Sequence, residues 1–295
     1  MMMDVLVIGK SGQLAASLLE AERPPGIRMT ASEPPELDLA DEASIQRAFD
    51  SAKPDLVVNA AAYTAVDRAE SEPDLAYAIN AAGPGVIAAL CQNNRIPLIH
   101  ISTDYVFDGT ATRPYRETDP AKPLGIYGLS KYEGERRISA ICERHLIFRT
   151  SWLYSPFGHN FVKTMIRLGA ERDELRIVSD QIGNPTYAPH LADAILKVMV
   201  RLKNDKISDD IWGLYHASAM GEASWHDFAC EVFNQIESSG GVAPKVTPIT
   251  TQDYPTPARR PANSRLDCSK LKNTFDVHFP NWRDGVRECI ARLGE

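Results

Sequence analysis

The chain is short of positive charge, of clustered cysteine and of long apolar runs. Its 32 lysines and arginines stand against 39 aspartates and glutamates, a formal net charge of −7. Nucleic acid and anionic membranes demand clustered positive charge, so neither is expected as the main partner. Cys91, Cys142, Cys230, Cys268 and Cys289 are odd in number, widely spaced and without a CxxC pair. That excludes a disulfide framework and a zinc site, and it suits a reducing, cytoplasmic compartment. The seven histidines show no HExxH-like spacing, so no catalytic metal is expected. No apolar run approaches the ~20 residues of a membrane span. Met1 to Gly9 lacks the basic start of a signal peptide. Internal repeats and low-complexity tracts are also missing.

What is present is ordinary globular material: 295 residues, 44% apolar and 24% charged. Such a chain makes one large or two modest domains with an ample core. The first half alternates apolar runs (Asp4–Ile8, Ile27–Thr30, Leu56–Asn59, Pro97–Ser102, His145–Thr150) with helical patterns (Gln13–Glu22, Ala43–Ala52, Asp74–Asn93, Ser130–Arg144). Runs apolar on both faces read as buried parallel strands, and the alternation implies βαβ units. Asp41 is placed to cap the second helix. The second half is less regular. Leu175–Ser179 and Leu214–Ala217 read as short strands, and Pro189–Lys203 and Ser224–Gln235 as helices, the latter capped by Ser224. The stretch Ser238–Pro261, rich in Gly, Pro and Thr, reads mostly as loop. The expected fold is α/β: a Rossmann-type doubly wound parallel sheet over residues 1–150. Later segments, about 175–220, return to it, and residues 151–295 form mainly a smaller, discontinuous substrate-binding lobe.

Gly9, Lys10, Ser11 and Gly12 follow the first strand and open a helix, in a GxxGxxA spacing that ends at Ala15. A glycine turn there lets a pyrophosphate approach backbone N–H groups at a helix N-terminus. At the end of the second strand an acid would grip a ribose 2′-hydroxyl, and a cation would accept a 2′-phosphate. Glu33 would serve NADH, although prolines follow it. Lys10 and Ser11 would meet the 2′-phosphate of NADPH. The balance leans to NADPH, with NADH tolerated. Asp38 and Leu39 precede the second helix and would reach the adenine edge.

Tyr127 and Lys131 form a YxxxK at i and i+4, on one face of a helix. A cation near a phenol stabilises the phenolate and lowers its pKa from about 10 toward the working range. Thr103 follows the strand Pro97–Ser102, at the carboxyl edge where ligands of open α/β sheets bind. Its hydroxyl can support a substrate oxygen as that oxygen changes charge.

With these motifs in place, the chain resembles the extended short-chain dehydrogenases/reductases, and most of all the dTDP-4-dehydrorhamnose reductase family. The matching stretches are GKSGQL (9–14), VVNAAAYTAVDRAESEP (57–73), STDYVF (102–107), YGLSK (127–131), HLIFRTSWLY (145–154), GLYHASAMGEASWHDFA (213–229) and YPTPARRPANSRL (254–266). STDYVFDG and the RTSW run are the most telling. The resemblance implies NADPH- or NADH-dependent reduction of the C4 keto group of dTDP-4-dehydro-β-L-rhamnose, a step toward O-antigen lipopolysaccharide. It casts Tyr127 as proton donor, Lys131 as ribose-binding and pKa-lowering cation, and Thr103 as third member. Gly12, Gln13 and Leu14 would lie at the cofactor diphosphate, and Ala61, Ala62 and Tyr63 would line its cleft. Thr103, Asp104 and Trp152 would contact the sugar nucleotide.

An anionic substrate needs local cations. Arg259, Arg260 and Arg265 sit in a proline-rich loop, and guanidinium groups match phosphate oxygens bidentately. Trp152 would stack on a sugar or base. Trp225 and His226 read as packing. Some relatives dimerise through magnesium bridged by glutamates, but here those places read Ala15–Ser17 and Pro189–His190. Magnesium dependence is therefore in doubt, and a monomer or weak homodimer is expected. Two other functions compete. A sugar-nucleotide epimerase or dehydratase is one, although a dehydratase would want Asp-Glu after Thr103, where Asp104-Tyr105 stands. A non-catalytic regulatory subunit of the methionine adenosyltransferase type is the other.

Overall fold

In the computed structural model, which describes residues 2–204 and 209–294, the apolar runs become a parallel sheet. Its strands are β1 (Met3–Ile8), β2 (Ile27–Ser32), β3 (Leu56–Asn59), β4 (Leu98–Thr103) and β5 (His145–Thr150). A sixth, Gly213–His216, joins from far along the chain. The spatial order is Gly213–His216, β5, β4, β3, β1, β2, with every pairing parallel. Inner strands β3 and β5 are buried throughout, while β2 at the edge alternates buried and exposed residues. Strand order reverses between β1 and β3, and ligands of open α/β sheets bind at such a switch point.

Helix α1 (Gln13–Glu20) and the helix Ala188–Asn204 cover one face, where Leu14, Leu18, Leu191, Ile195 and Val198 meet the sheet. The other face is covered by α2 (Glu42–Ala52) and the helices Gly83–Asn94 and Ile126–Ile141, through Ile45, Phe49, Ile87, Leu90 and Ile138. Asp41 caps α2 as expected, its carboxylate accepting from the Ala43 N–H. From Pro73 to Asn94 the chain is helical without a break, through a π turn at Ala78–Ala82. This run spans 22 residues and holds an 18-residue window with a mean hydropathy of 1.3, contrary to the expectation that no apolar run approaches spanning length. Half of it is buried against the protein's own core, where Ala81, Ile87, Ala88 and Cys91 are fully covered.

A separate core gathers Tyr154, Val162, Met165, Leu175, Phe228, Val232 and Trp282. Ser224 caps the helix Trp225–Ser238 in a capping box with Asp227. Glu174–Val178 pairs in parallel with Lys245–Ile249, apart from the main sheet. The second of these strands falls in the stretch expected to be mostly loop. It has five residues, contains Pro248 and exposes two of them, so no period-2 pattern develops along it. The helix expected from Ser130 begins at Ile126 instead, which puts Tyr127 and Gly128 in its first turn.

Candidate active site

Gly9 ends β1 with φ +100°, a left-handed conformation that side chains rarely adopt. A Cβ there would lie 3.5 Å from the Ala61 Cβ and backbone N, and 3.6 Å from the Ala15 Cβ. Gly12 is the N-cap of α1 and offers no side chain to the first N–H groups. Nothing lies within 4 Å of where its Cβ would be. Open space over uncapped N–H groups, at the β1/β3 switch point, fits a dinucleotide diphosphate. The Gln13 side chain is engaged elsewhere. Its Oε1 accepts from Ser155 Oγ and Asn160 Nδ2, each at 3.0 Å. Leu14 is buried in the core, so both residues can serve a ligand only through the backbone.

At the other side of the turn, Glu33 Oε2 accepts from the Lys10 N–H (3.2 Å), the Ser11 N–H (2.9 Å) and Ser11 Oγ (2.8 Å). Those hydrogen bonds hold the Glu33 carboxyl below the usual carboxylate range. Asp38 is half-buried, and its Oδ1 accepts from the Ala40 N–H at 2.9 Å. Leu39 is buried against Gly83. Ala61, Ala62 and Tyr63 follow β3. The Tyr63 N–H donates to Asn80 Oδ1 at 2.9 Å, from the π turn, while Asn80 Nδ2 donates to Tyr63 O and Ser130 Oγ. π turns often mark functional sites, and this one ties the cleft wall to the helix that carries Tyr127.

Thr103 ends β4, and Tyr127 comes to it on the first turn of the helix Ile126–Ile141. Gly128 permits the approach: any Cβ there would collide with the Tyr105 carbonyl oxygen. The Thr103 hydroxyl lies close enough to the Tyr127 phenol to favour its ionised form. The Tyr105 ring stands edge-on to Tyr127, with centroids 5.6 Å apart. Burial pushes the Tyr127 phenol up to about 12, the Asp104 charge adds to this, and the Thr103 hydrogen bond opposes it.

Lys131 is expected to face the phenol and lower that value. Its ammonium turns inward instead, donating to Ile101 O at 2.7 Å and lying 3.4 Å from His100 Nε2. Burial brings Lys131 down to about 8, with Glu135 opposing. His100 Nδ1 lies 3.1 Å from Asn59 Nδ2, and Asn59 Oδ1 accepts from the Ala61 N–H at 3.2 Å. A line of polar groups thus runs beneath the cleft from Ala61 to Lys131. Neither His100 nor Asn59 was singled out from the sequence. Asn59 is the lone polar side chain at the end of an apolar strand, and His100 interrupts the apolar start of another; that is the available signal.

Asp104, expected at the substrate, is 2% exposed. Its Oδ1 accepts from Thr103 Oγ1 and its Oδ2 from Ser151 Oγ, both at 3.1 Å, and Ser264 bonds it as well. Burial pushes its carboxyl up to about 6 against those three hydroxyls. Asp104 therefore faces inward and positions Thr103.

The three arginines separate. Arg260 Nη2 pairs with Asp67 Oδ2 at 2.8 Å, and its guanidinium bonds Thr256 and the Tyr105 hydroxyl. It therefore brings the loop 254–266 beside Tyr105 and Tyr127. Arg265 is committed to Glu222 (2.6 Å), Asn263 Oδ1 (2.8 Å) and Thr112 O (2.8 Å). Arg259 is exposed, with no partner among the described residues. Trp152 takes φ +46° and stacks on Trp225 at 3.6 Å and 5°, so one of its faces is covered. Trp225 Nε1 donates to Gln181 Oε1 at 3.2 Å.

The family described as the RmlD substrate binding domain matches residues 3–295. A Sinorhizobium fredii protein named dTDP-4-dehydrorhamnose reductase is 44% identical over 291 residues, 99% of this chain and 98% of that protein. A Clostridium acetobutylicum structure of a dTDP-4-dehydrorhamnose reductase has a TM-score of 0.91 at 38% identity. A Bacillus anthracis one, in complex with NADP, has a TM-score of 0.90 at 37% identity. In both cases 99% of this chain and 100% of the other are covered.

Proposed function

Because the chain belongs to the RmlD substrate-binding family, we propose that it reduces the C4 keto group of dTDP-4-dehydro-β-L-rhamnose to give dTDP-L-rhamnose, as an NAD(P)H-dependent oxidoreductase. The observation that carries this reading is the meeting of Thr103 and Tyr127 at the carboxyl edge of the sheet, beside the glycine turn. The relatives favour it over the dehydratase and regulatory-subunit alternatives.

When bound, a dihydronicotinamide would supply the hydride for the carbonyl carbon. Uncapped N–H groups behind Gly12 would hold its diphosphate, and Ala61, Ala62 and Tyr63 would wall the cleft. Lys131 would serve the nicotinamide ribose. Tyr127, with its phenol pushed up to about 12, keeps its proton across the neutral range and gives it to the oxygen as that oxygen gains charge. Thr103 supports the same oxygen through a hydroxyl held by Asp104. One C–H and one O–H bond form, and the phenolate regains its proton from solvent. Arg259 and Arg260 would serve the substrate diphosphate, and Trp152 would serve its sugar or base. Binding energy from the nucleotide end, remote from the reacting carbon, then aligns carbonyl and hydride donor.

The same proposal assigns residues 1–150, with later segments at about 175–220, to the dinucleotide and the rest of 151–295 mainly to the substrate, in the cytoplasm, as a monomer or weak homodimer. Five free cysteines are in keeping with a reducing compartment. The test is loss of dihydronicotinamide absorbance when the protein meets the 4-keto-6-deoxy sugar nucleotide, with dTDP-rhamnose formed in equal amount. No oxidation with either NADPH or NADH would sink it.

A further inference from the structure

Beneath the cleft lies a layer of buried charge that the reaction above does not use. Tyr127, Lys131 and Glu135 follow one another at i, i+4 and i+8, so they share one face of the helix Ile126–Ile141. Lys131 is 2% exposed and Glu135 4%. Glu135 Oε1 accepts from Ser102 Oγ at 2.5 Å, and its two oxygens accept from Arg149, at 2.9 Å from Nε and 2.5 Å from Nη2. Ser102 and Arg149 are register partners on β4 and β5, so two strands clamp the helix carboxylate together. A buried ion pair of this kind is weak evidence of stability, because desolvation cancels most of the attraction. Packed apolar side chains would hold helix and sheet together as well, so the layer calls for another role.

We infer that Glu135 is a positioning residue for Lys131: from within this layer it supplies the negative charge that keeps the ammonium protonated for the nicotinamide ribose, and Arg149 limits the strength of that hold. Lys131 itself meets only neutral groups, Ile101 O and His100 Nε2. Dipoles alone do not offset the burial of an ammonium. Burial holds His100 well below its ordinary 6.5, so it brings no charge. Asn80, which the π turn packs on the helix through Ser130, is neutral too. Asp104, in the turn after β4, acts on Tyr127, and Glu70 bonds the Ile126 N–H at the far end of the helix. Glu135, one turn beyond Lys131, is the charge that opposes loss of its proton. The carboxylate divides its attraction between the ammonium and the Arg149 guanidinium. Removing the guanidinium therefore tightens the hold on Lys131, and removing the carboxylate releases it. Glu135 is too deep to touch a ligand, so it acts through Lys131.

This rests on the nicotinamide-dinucleotide reading above, and the two can fail separately. Dissociation constants for NADPH and NADH are measured by fluorescence titration across the range in which a buried lysine titrates, with thermal melts of every variant. Affinity should fall where Lys131 loses its proton, and Lys131→Arg, which keeps its charge, identifies that bend by abolishing it. Glu135→Gln should move the bend down by about one pH unit, the lower end of what a nearby opposite charge does. Removing one member of a buried pair can unfold a chain, so the second variant is the double replacement Glu135→Met, Arg149→Met, which leaves no charge unpaired. It should also carry the bend down, by less, because the Arg149 charge leaves with it. Arg149→Met alone should move the bend up, since the carboxylate then has the ammonium to itself. A purely structural pair would change melting temperatures and leave the bend where it is. A bend that the folded variants do not move, a wild type that binds without one, or unfolding of both Glu135 variants overturns the role of Glu135 alone. No binding of either dinucleotide by the wild type at any pH overturns the cofactor reading and this inference with it.

Discussion

The Thr103 hydroxyl donates to Asp104 Oδ1 at 3.1 Å. A hydroxyl has one proton and two lone pairs. The proton is committed to Asp104, and one lone pair faces the Tyr105 N–H at 3.2 Å. The remaining lone pair is left for a hydroxyl of the substrate or of Tyr127. Thr103 is thereby oriented before substrate arrives.

Tyr127→Phe removes the phenol proton and leaves the rest of the cleft intact. Turnover should fall by about 10²–10⁴, the range for loss of a positioned general acid. Dinucleotide binding, followed by fluorescence titration, should change little. Turnover close to wild type would rule Tyr127 out as the donor.

Asp104→Asn should slow the enzyme and stabilise it at neutral pH. The carboxyl has an ordinary value of 3.8 and is pushed up to about 6 in the fold. Between those values the folded chain holds a proton that the unfolded chain has released, so this group favours folding at low pH. That advantage disappears as pH rises from about 4 to about 6. Above this, the buried charge is unfavourable by roughly 3 kcal/mol. The variant's melting temperature should exceed wild type at pH 7, with the gap closing toward pH 4. Its kcat should drop because the Thr103 proton loses its anionic acceptor. A variant less stable than wild type at pH 7 would mean that the hydroxyl contacts outweigh the burial.

Lys131 predicts a bend in the pH profile. Burial brings its ammonium down to about 8, so the free enzyme loses that cation above about pH 8. The kcat/KM for dinucleotide should fall there, since this ratio reports free-enzyme groups. Tyr127, up at about 12, does not titrate in that window. Burial holds the nearby His100 well below its ordinary 6.5, so it is already neutral. Lys131→Arg keeps its charge through the whole range and should abolish the bend even if the rate is lower.

Two arginines of one loop should behave differently. Arg260 stands beside Tyr105 and Asp67, next to Tyr127. Arg260→Ala should raise KM for the sugar nucleotide about tenfold or more, the scale of one lost charge-assisted contact. Arg265 is held by Glu222, Asn263 and a backbone carbonyl. Its replacement by Ala should show mainly as a lower melting temperature. Equal KM effects from the two variants would contradict this division.

The features that announce themselves in the sequence are those whose chemistry is local. Gly9, Thr103 and the Tyr127/Lys131 pair each sit where a strand ends or a helix begins, so their spacing tells their place. The direction of a side chain is another matter. Glu33 was visible as an acid after β2, but its grip on Ser11 depends on how the chain runs into Pro34, which no periodicity reports. Lys131 turned toward Ile101 because the carbonyl and His100 lie beneath it, on a strand 30 residues away. Asp104 reads as a ligand residue but is buried, because Ser151 and Ser264 approach from segments distant in sequence. The strand Lys245–Ile249 escaped notice because it pairs with a single neighbour and carries a proline.

The sheet beneath the cofactor cleft closes late. Gly213–His216 supplies the strand beyond β5, pairing Leu214 with Ile147 and His216 with Arg149. A ribosome must therefore make well over two-thirds of the chain before β5 has its outer neighbour. Until then β5, with Leu146, Ile147 and Phe148 at its centre, is an open edge of the kind that invites pairing with other chains. A fragment ending at Thr150 should accordingly aggregate, whereas one ending beyond His216 should stay dispersed in light scattering. Dissection at the apparent midpoint of this protein would thus cut through its sheet, and a half-length cofactor module is not available from it.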